Sequence, residues 1–136
     1  MINLIGYTRI SNQQNTDVLK EDKEKLEKHC KNSKNYNLLN FYEEISDDSV
    51  EQPPLLFSTV LNNVQKADGL IIPSLDILSK SSFEIIKLFD DYFKNTDKEF
   101  ISLDLMFLDL KTPQGTMILQ FTAAQIEYNY SLQNMK

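Results

Sequence analysis

Ile2-Asn3-Leu4-Ile5-Gly6-Tyr7-Thr8-Arg9-Ile10-Ser11, near the start of the 136-residue chain, decides how the rest is read. Leu4, Ile5, Tyr7 and Ile10 stand among small or polar residues, the pattern of a buried strand from Ile2 to Ile10 that ends at Ser11. The polar turn Asn12-Gln13-Gln14-Asn15 follows. Thr16 or Asp17 can then cap a helix running to about Lys31, with Leu19, Leu26 and Cys30 inward and acids mixed with lysines outward. Strand, turn and helix in that order begin a βαβ unit.

Further along, Tyr36 to Glu43 alternates apolar and polar residues as a second strand, and Glu44 to Gln52 reads as an acidic, serine-bearing loop. Pro53 and Pro54 suit the first turn of a helix, where a missing amide donor costs nothing, and Leu56, Val60 and Val64 then recur at four-residue intervals. Leu70-Ile71-Ile72 is short and wholly apolar, as a central parallel strand buried on both faces should be. Its end, Pro73-Ser74-Leu75-Asp76, is expected beside the end of the first strand. Ser81 or Ser82 caps the next helix, with Ile85, Ile86, Phe89 and Phe93 inward. Phe100 to Leu103 is another strand, and Met106 to Leu110 an edge strand.

From Gln114 to the end the pattern is helical, but Met117, Ile118, Leu119, Phe121, Ile126, Tyr128, Tyr130 and Leu132 wrap more than one face. Such a helix is buried on several sides, either by the core or, in a chain this short, by a second subunit. The expected architecture is a three-layer α/β domain over residues 1–136. It has a mostly parallel central sheet flanked by helices and a long C-terminal helix over about 114–136. No repeat, low-complexity tract or linker divides it.

A net charge of -6 and a pI near 4.7 argue against a domain that holds DNA or an anionic membrane by its own field, because neutralising phosphates needs clustered cations. Nucleic-acid contact must be local or delegated. A single cysteine, no apolar run of transmembrane length and no charged-then-apolar leader lead us to expect a cytoplasmic protein without a membrane partner. Arg9 is the only arginine among fourteen cations. Its planar fork binds phosphate or carboxylate through two parallel hydrogen bonds, which lysine cannot imitate; the plainer reading is a surface arginine.

Open α/β sheets bind ligands beyond the carboxyl ends of their strands, which puts Arg9, Ser11, Gln14, Asp76 and Lys80 at the expected site. No histidine joins them, since His29 sits mid-helix among lysines and reads as a solvated side chain, so a Ser-His-Asp triad is unsupported. Cys30 reads as a core residue. One cysteine and one histidine make no zinc cluster, and Asp47, Asp48 and Glu51 lack the spacing of a calcium loop. Gly6, Gly69 and Gly115 stand too far apart for a phosphate cradle. No metal and no cofactor is expected. What remains is a hydroxyl beside a guanidinium, a pair suited to attack on a phosphodiester.

The run Ile5-Gly6-Tyr7-Thr8-Arg9-Ile10-Ser11 resembles the Tyr-x-Arg-Val-Ser strand end that carries the nucleophile in serine site-specific recombinases of the resolvase/invertase family. Ala67 to Ser81, with Leu75-Asp76-Ile77-Leu78-Ser79-Lys80, is similar to that family's strand and Leu-Asp-Arg-Leu-x-Arg motif. Asp109 with Thr112-Pro113-Gln114-Gly115 resembles its Asp-x-x-Thr-x-x-Gly segment, and Ala123-Ala124-Gln125-Ile126-Glu127 its Ala-x-x-Glu-Arg region. The resemblance implies a resolvase-like fold and a long helix used for dimerisation. The implied chemistry is DNA strand exchange through a phosphoserine link, with no metal or nucleotide. Ser11 is then the nucleophile and Arg9 a phosphate clamp, with Tyr7 and Gln14 as supporting neighbours. Asp76 orients active-site cations, Lys80 stands for an arginine, and Glu127 is the acid on the long helix.

The departures fall on the cations. Ile77 and Lys80 replace two arginines, Gln52-Pro53-Pro54 stands where the loop carries another, and Tyr128 follows the helix glutamate. An arginine on a transferring phosphoryl group is worth roughly 10³ to 10⁵ in rate, so impaired catalysis is expected. Family members continue past the long helix into a DNA-binding region, and none is expected within these 136 residues. DNA is therefore a partner through a missing or separate region, and a homodimer or tetramer is expected through the long helix. The alternative is a non-catalytic, recombinase-derived dimerisation or regulatory module. A third reading, a flavodoxin-like or receiver-like domain, lacks the acid pair that metal-dependent phosphorylation needs at the first strand's end.

Overall fold

β1 (Ile2–Ser11) lies inside a four-stranded sheet of order β2-β1-β3-β4 in the computed structural model, with β2 at Tyr36–Ser46, β3 at Gly69–Ile72 and β4 at Glu99–Ser102. Every pairing is parallel. The structure describes residues 1–12, 14–33, 35–46, 55–105 and 109–134, without the side chains of Phe57 and Asn134. Gln13, the acids Asp47, Asp48 and Glu51, the Gln52-Pro53-Pro54 segment and the first three residues of the expected Met106 to Leu110 strand lie outside them.

The helices are α1 (Asp17–Asn32), α2 (Leu61–Lys66), α3 (Ser82–Phe89) and α4 (Pro113–Asn134); π-helical turns at Leu56–Val60 and Asp90–Lys94 precede α2 and extend α3. At the start of α1 neither expected cap acts, because Thr16 already has helical backbone angles and makes no capping bond. Asn15 does the work instead. Its Oδ1 accepts the Asp17 amide at 2.9 Å, the short polar side chain mimicking a turn of backbone. Ser81 caps α3, accepting the Glu84 amide.

Residues alternate along β1 between two layers. Leu4 packs with Leu26 and Cys30 of α1 and Ile71 of β3, and Thr8 donates to the buried Asp22 of α1 at 2.7 Å. A Cβ on Gly6 would meet Phe41, Leu38 and Leu26 side chains, so α1 and β2 close over it. Ile5 and Tyr7 point the other way, into the larger cluster that joins β3 to Leu56, Val60 and Val64, to Ile85, Leu88, Phe89 and Phe93, and to Leu119 and Ala123 of α4. The architecture is three-layered. His29 is half-buried rather than solvated, its ring stacked on Tyr36 at a centroid distance of 6.0 Å.

Thr112-Pro113-Gln114-Gly115 is the entry to α4. The Thr112 hydroxyl accepts the Gly115 amide at 3.0 Å as an N-cap, Pro113 takes the first helical position, where its missing N–H is no loss, and Gly115 leaves room for the Asp109 carbonyl. Along the 22 residues of α4 only Glu127 is charged. Leu119 and Ala123 face the core, while Met117, Ile118, Phe121, Tyr128, Tyr130 and Leu132 are exposed.

Candidate active site

β3 pairs with β1 only over Leu4–Gly6, whereas β2 runs beside it to Ser11. The tip Tyr7–Ser11 therefore projects past β3, and the 3₁₀ turn Leu75–Ile77 packs back against β1 at that end. Two parallel strands deliver Ser11 and Asp76 to the same edge of the sheet, as the sequence order predicts.

A register shift in the β1–β2 ladder selects what lies beside the tip. Leu4 pairs with Leu38 but Ile5 with Asn40, so Leu39 is the extra residue of a bulge and every later pair moves by one. Tyr7, Arg9 and Ser11 thus lie opposite Tyr42, Glu44 and Ser46. Glu43 and Ile45 are left on the exposed side. β2 accordingly runs three residues beyond the expected Glu43.

Two diagonal hydrogen bonds cross this ladder. The Tyr7 hydroxyl donates to Glu44 Oε1 at 2.8 Å, and Arg9 Nε donates to Ser46 Oγ at 2.9 Å. Burial, reinforced by the Glu44 carboxylate, pushes the Tyr7 phenol well above its ordinary range, so it remains a proton donor. Glu44 also accepts the Leu55 amide through Oε2 at 3.3 Å, tying the tip to the start of the α2 segment. Gln14 folds the turn onto Ser11: its side-chain oxygen accepts the Ser11 amide at 2.9 Å, and its own amide donates to the Ser11 carbonyl at 3.0 Å. Arg9 and Ser11 are both half-buried.

Beyond β3, Asp76 accepts from the Ser74 hydroxyl, and Lys80 Nζ reaches Asp76 Oδ2 at 3.9 Å and its carbonyl at 3.4 Å. Both side chains are about half exposed, so this pair is worth at most about 1 kcal/mol. Ile77 packs against the core, and Tyr128 is exposed. Glu127 lies at the N-terminus of α3, where it accepts the Ser82 amide at 3.2 Å and the Ser82 hydroxyl at 3.3 Å. A carboxylate there satisfies an orphan donor and the positive end of the helix dipole.

The structure thus brings Tyr7, Arg9, Ser11 and Gln14 together on β1 and its turn, with Asp76 and Lys80 at the neighbouring strand end, while Glu127 is engaged with α3. Sequence reading missed Glu44 and Ser46, the β2 residues that hold the β1 side chains. Among the described residues no group of histidine, cysteine or acidic side chains could hold a metal ion. No helix among them is long and apolar enough to cross a membrane.

The family described as the resolvase N-terminal domain matches residues 4–136. No curated protein sequence matches the chain. Among solved structures, the N-terminal catalytic domain of TP901-1 integrase is similar with a TM-score of 0.68 and 24% identity, over 96% of this chain and 98% of that one. The C-terminal catalytic domain of ISC1926 TnpA, an IS607-like serine recombinase, is similar with a TM-score of 0.61 and 15% identity, over 92% and 99%. At these identities the two structures speak for the fold alone.

Proposed function

The chain belongs to the resolvase family, and from that premise we propose that it is a serine recombinase catalytic domain whose Ser11 attacks a DNA phosphodiester with lowered efficiency. Ser11 Oγ forms a bond to phosphorus, and the bond from phosphorus to the 3′ oxygen breaks. The serine loses its proton, the leaving oxygen gains one, and DNA is left with a 5′ phosphoserine link and a free 3′ hydroxyl. Negative charge grows on the non-bridging oxygens along the way, and donors fixed before the reaction stabilise it most. Arg9 is such a donor, two residues from Ser11 on the same face of β1.

One observation carries the reading: Arg9 and Ser11 project together past β3 at the carboxyl edge of the sheet, each pinned by a polar neighbour. The lowered efficiency follows from Ile77, which supplies packing where the family has charge, and from Lys80, which supplies charge without a bidentate fork. With a net charge of -6, the domain depends on a separate region or protein to grip DNA.

The test is covalent capture on a suicide duplex whose cleaved end diffuses away. Slow accumulation of a protein-DNA adduct is expected, abolished in Ser11→Ala. Equal absence of adduct from both overturns the enzymatic reading.

The exposed apolar side chains of α4, with Phe121 at 69% relative exposure, support the second reading, a dimerising or regulatory module that keeps the fold without the chemistry. That reading expects sedimentation equilibrium to show a dimer or tetramer that Phe121→Asp weakens. A monomeric wild-type chain refutes it.

A further inference from the structure

We propose that Ser46 is a positioning residue for Arg9: its hydroxyl fixes the guanidinium plane so that the fork meets a phosphate at the Ser11 edge. The inference rests on the reading of Ser11 as nucleophile and names a residue outside β1 on which that reading depends.

Ser46 is buried, at 8% relative exposure, although it is polar and lies at the very end of β2. Its hydroxyl stands between two groups of β1, accepting from Arg9 Nε at 2.9 Å and donating to the Ile10 carbonyl at 3.4 Å. That second, longer contact favours a hydroxyl orientation that leaves a lone pair for Nε. The backbone of Ser46 is held separately, since its carbonyl accepts the Asn12 amide at 2.9 Å and the residue pairs with Ser11 in the ladder. Oγ is therefore a fixed point relative to Ser11, and a guanidinium bonded to it through Nε inherits that fixity. A guanidinium is planar and this one is tethered to β1 through its side chain, so a bond at Nε narrows the directions in which its terminal nitrogens can meet a phosphate. In a chain with one arginine, no second guanidinium can compensate for a misdirected first.

Because Arg9 is the only arginine, its Nε–H gives a single nitrogen–hydrogen correlation in the NMR spectrum, assigned without ambiguity. The full chain is compared as wild type, Ser46→Ala and Ser46→Thr, first alone and then titrated with inorganic phosphate. Wild type and Ser46→Thr are expected to show slowly exchanging Nε–H signals and similar phosphate affinities. In Ser46→Ala, exchange accelerates and phosphate affinity falls, each by about tenfold, the size of one lost hydrogen bond to a charged group. Backbone amide signals in the same spectra report whether each variant is folded, and Ser46→Cys, close in size but a weak acceptor, takes the place of Ser46→Ala if that variant is not.

A freely exchanging Nε–H in wild type overturns the inference whatever the variants do. So does unchanged exchange in a folded Ser46→Ala, or a folded Ser46→Thr that behaves like alanine. Absence of a DNA adduct from wild type with an intact, Ser46-dependent Nε–H signal overturns the recombinase reading and leaves the positioning contact standing. An adduct that forms equally in wild type and Ser46→Ala sinks the positioning role alone.

Discussion

Replacing Gly115 with alanine pits helix propensity against a carbonyl that cannot move. In a helix interior alanine is better than glycine by about 0.8–1.0 kcal/mol, so on propensity alone the substitution stabilises α4. The added methyl, however, would fall on the Asp109 carbonyl oxygen and crowd Asp109 C and Leu110 Cα at 2.7 Å. That carbonyl is pinned by the Thr112 amide at 3.2 Å and the Thr112 hydroxyl at 2.8 Å. Relief therefore requires breaking these bonds or lifting α4 from Leu110 and the core. Overpacking costs about 1–3 kcal/mol and each disrupted hydrogen bond about 1 kcal/mol more. After subtracting the propensity gain, a net loss of about 2 kcal/mol is expected, near 8 °C in melting temperature for a chain of this length. Urea unfolding followed by circular dichroism measures it, with Gln114→Ala, an exposed neighbour in the same turn, as the control that stays within about 0.5 kcal/mol of wild type. A Gly115→Ala protein as stable as wild type, or more so, refutes the assignment of the Asp109 carbonyl as the obstacle.

Thr8→Val removes the donor to buried Asp22 while keeping the side chain's shape, and a loss of about 2 kcal/mol in urea unfolding is expected. Adding Asp22→Leu should restore most of it, and additive losses would deny the coupling. Tyr7 gives a pH signature. Its folded-state phenol is raised above the ordinary 10.0 by burial first and Glu44 second, so the folded protein keeps a proton that the unfolded chain releases. The stability this contributes is intact below pH 10 and declines as pH rises through it, by about 1.4 kcal/mol per pH unit. Stability of Tyr7→Phe should fall less steeply between pH 9 and 11, and identical slopes would remove Tyr7 as the source.

The strand ending in Ser11, the buried Leu70-Ile71-Ile72 strand and the long helix were legible because each has an apolar pattern of its own: spaced apolar positions in the first, an unbroken apolar run in the second, and a long stretch without breakers in the third. So was the Thr112-Pro113 helix entry, whose residue types mark the cap. The β2 half of the site was not, for a geometric reason. Glu43 and Glu44 are chemically equivalent neighbours, and which of them faces Tyr7 and Arg9 depends on whether Leu39 counts in the ladder. Nothing in the residues around Leu39 marks a bulge, and a strand without one would place Glu43 and Ile45 beside the tip. Glu44 to Ser46 also reads as loop because its polar side chains serve β1 rather than solvent. Asp22 escaped notice for a related reason: an acid among the charges of α1 looks like its exposed neighbours until Thr8 is placed beneath it.

The unequal neighbours of β1 bear on how the molecule assembles during synthesis. Glu44 and Ser46 follow the side chains they hold by only 37 residues, so the Tyr7 and Arg9 contacts lie within a β-α-β segment that leaves the ribosome before β3 does. Asp76, Lys80 and Glu127 arrive later, with β3 and the helices beyond it. Two strands and a helix are marginal by themselves, and β3 reaches β1 only through Leu4–Gly6. The guanidinium is therefore aimed within the β1–α1–β2 segment, and a three-residue seam in the middle of the sheet joins that segment to β3. Through that seam the edge that carries Ser11 and the turn that carries Asp76, made at different times, come to share one sheet.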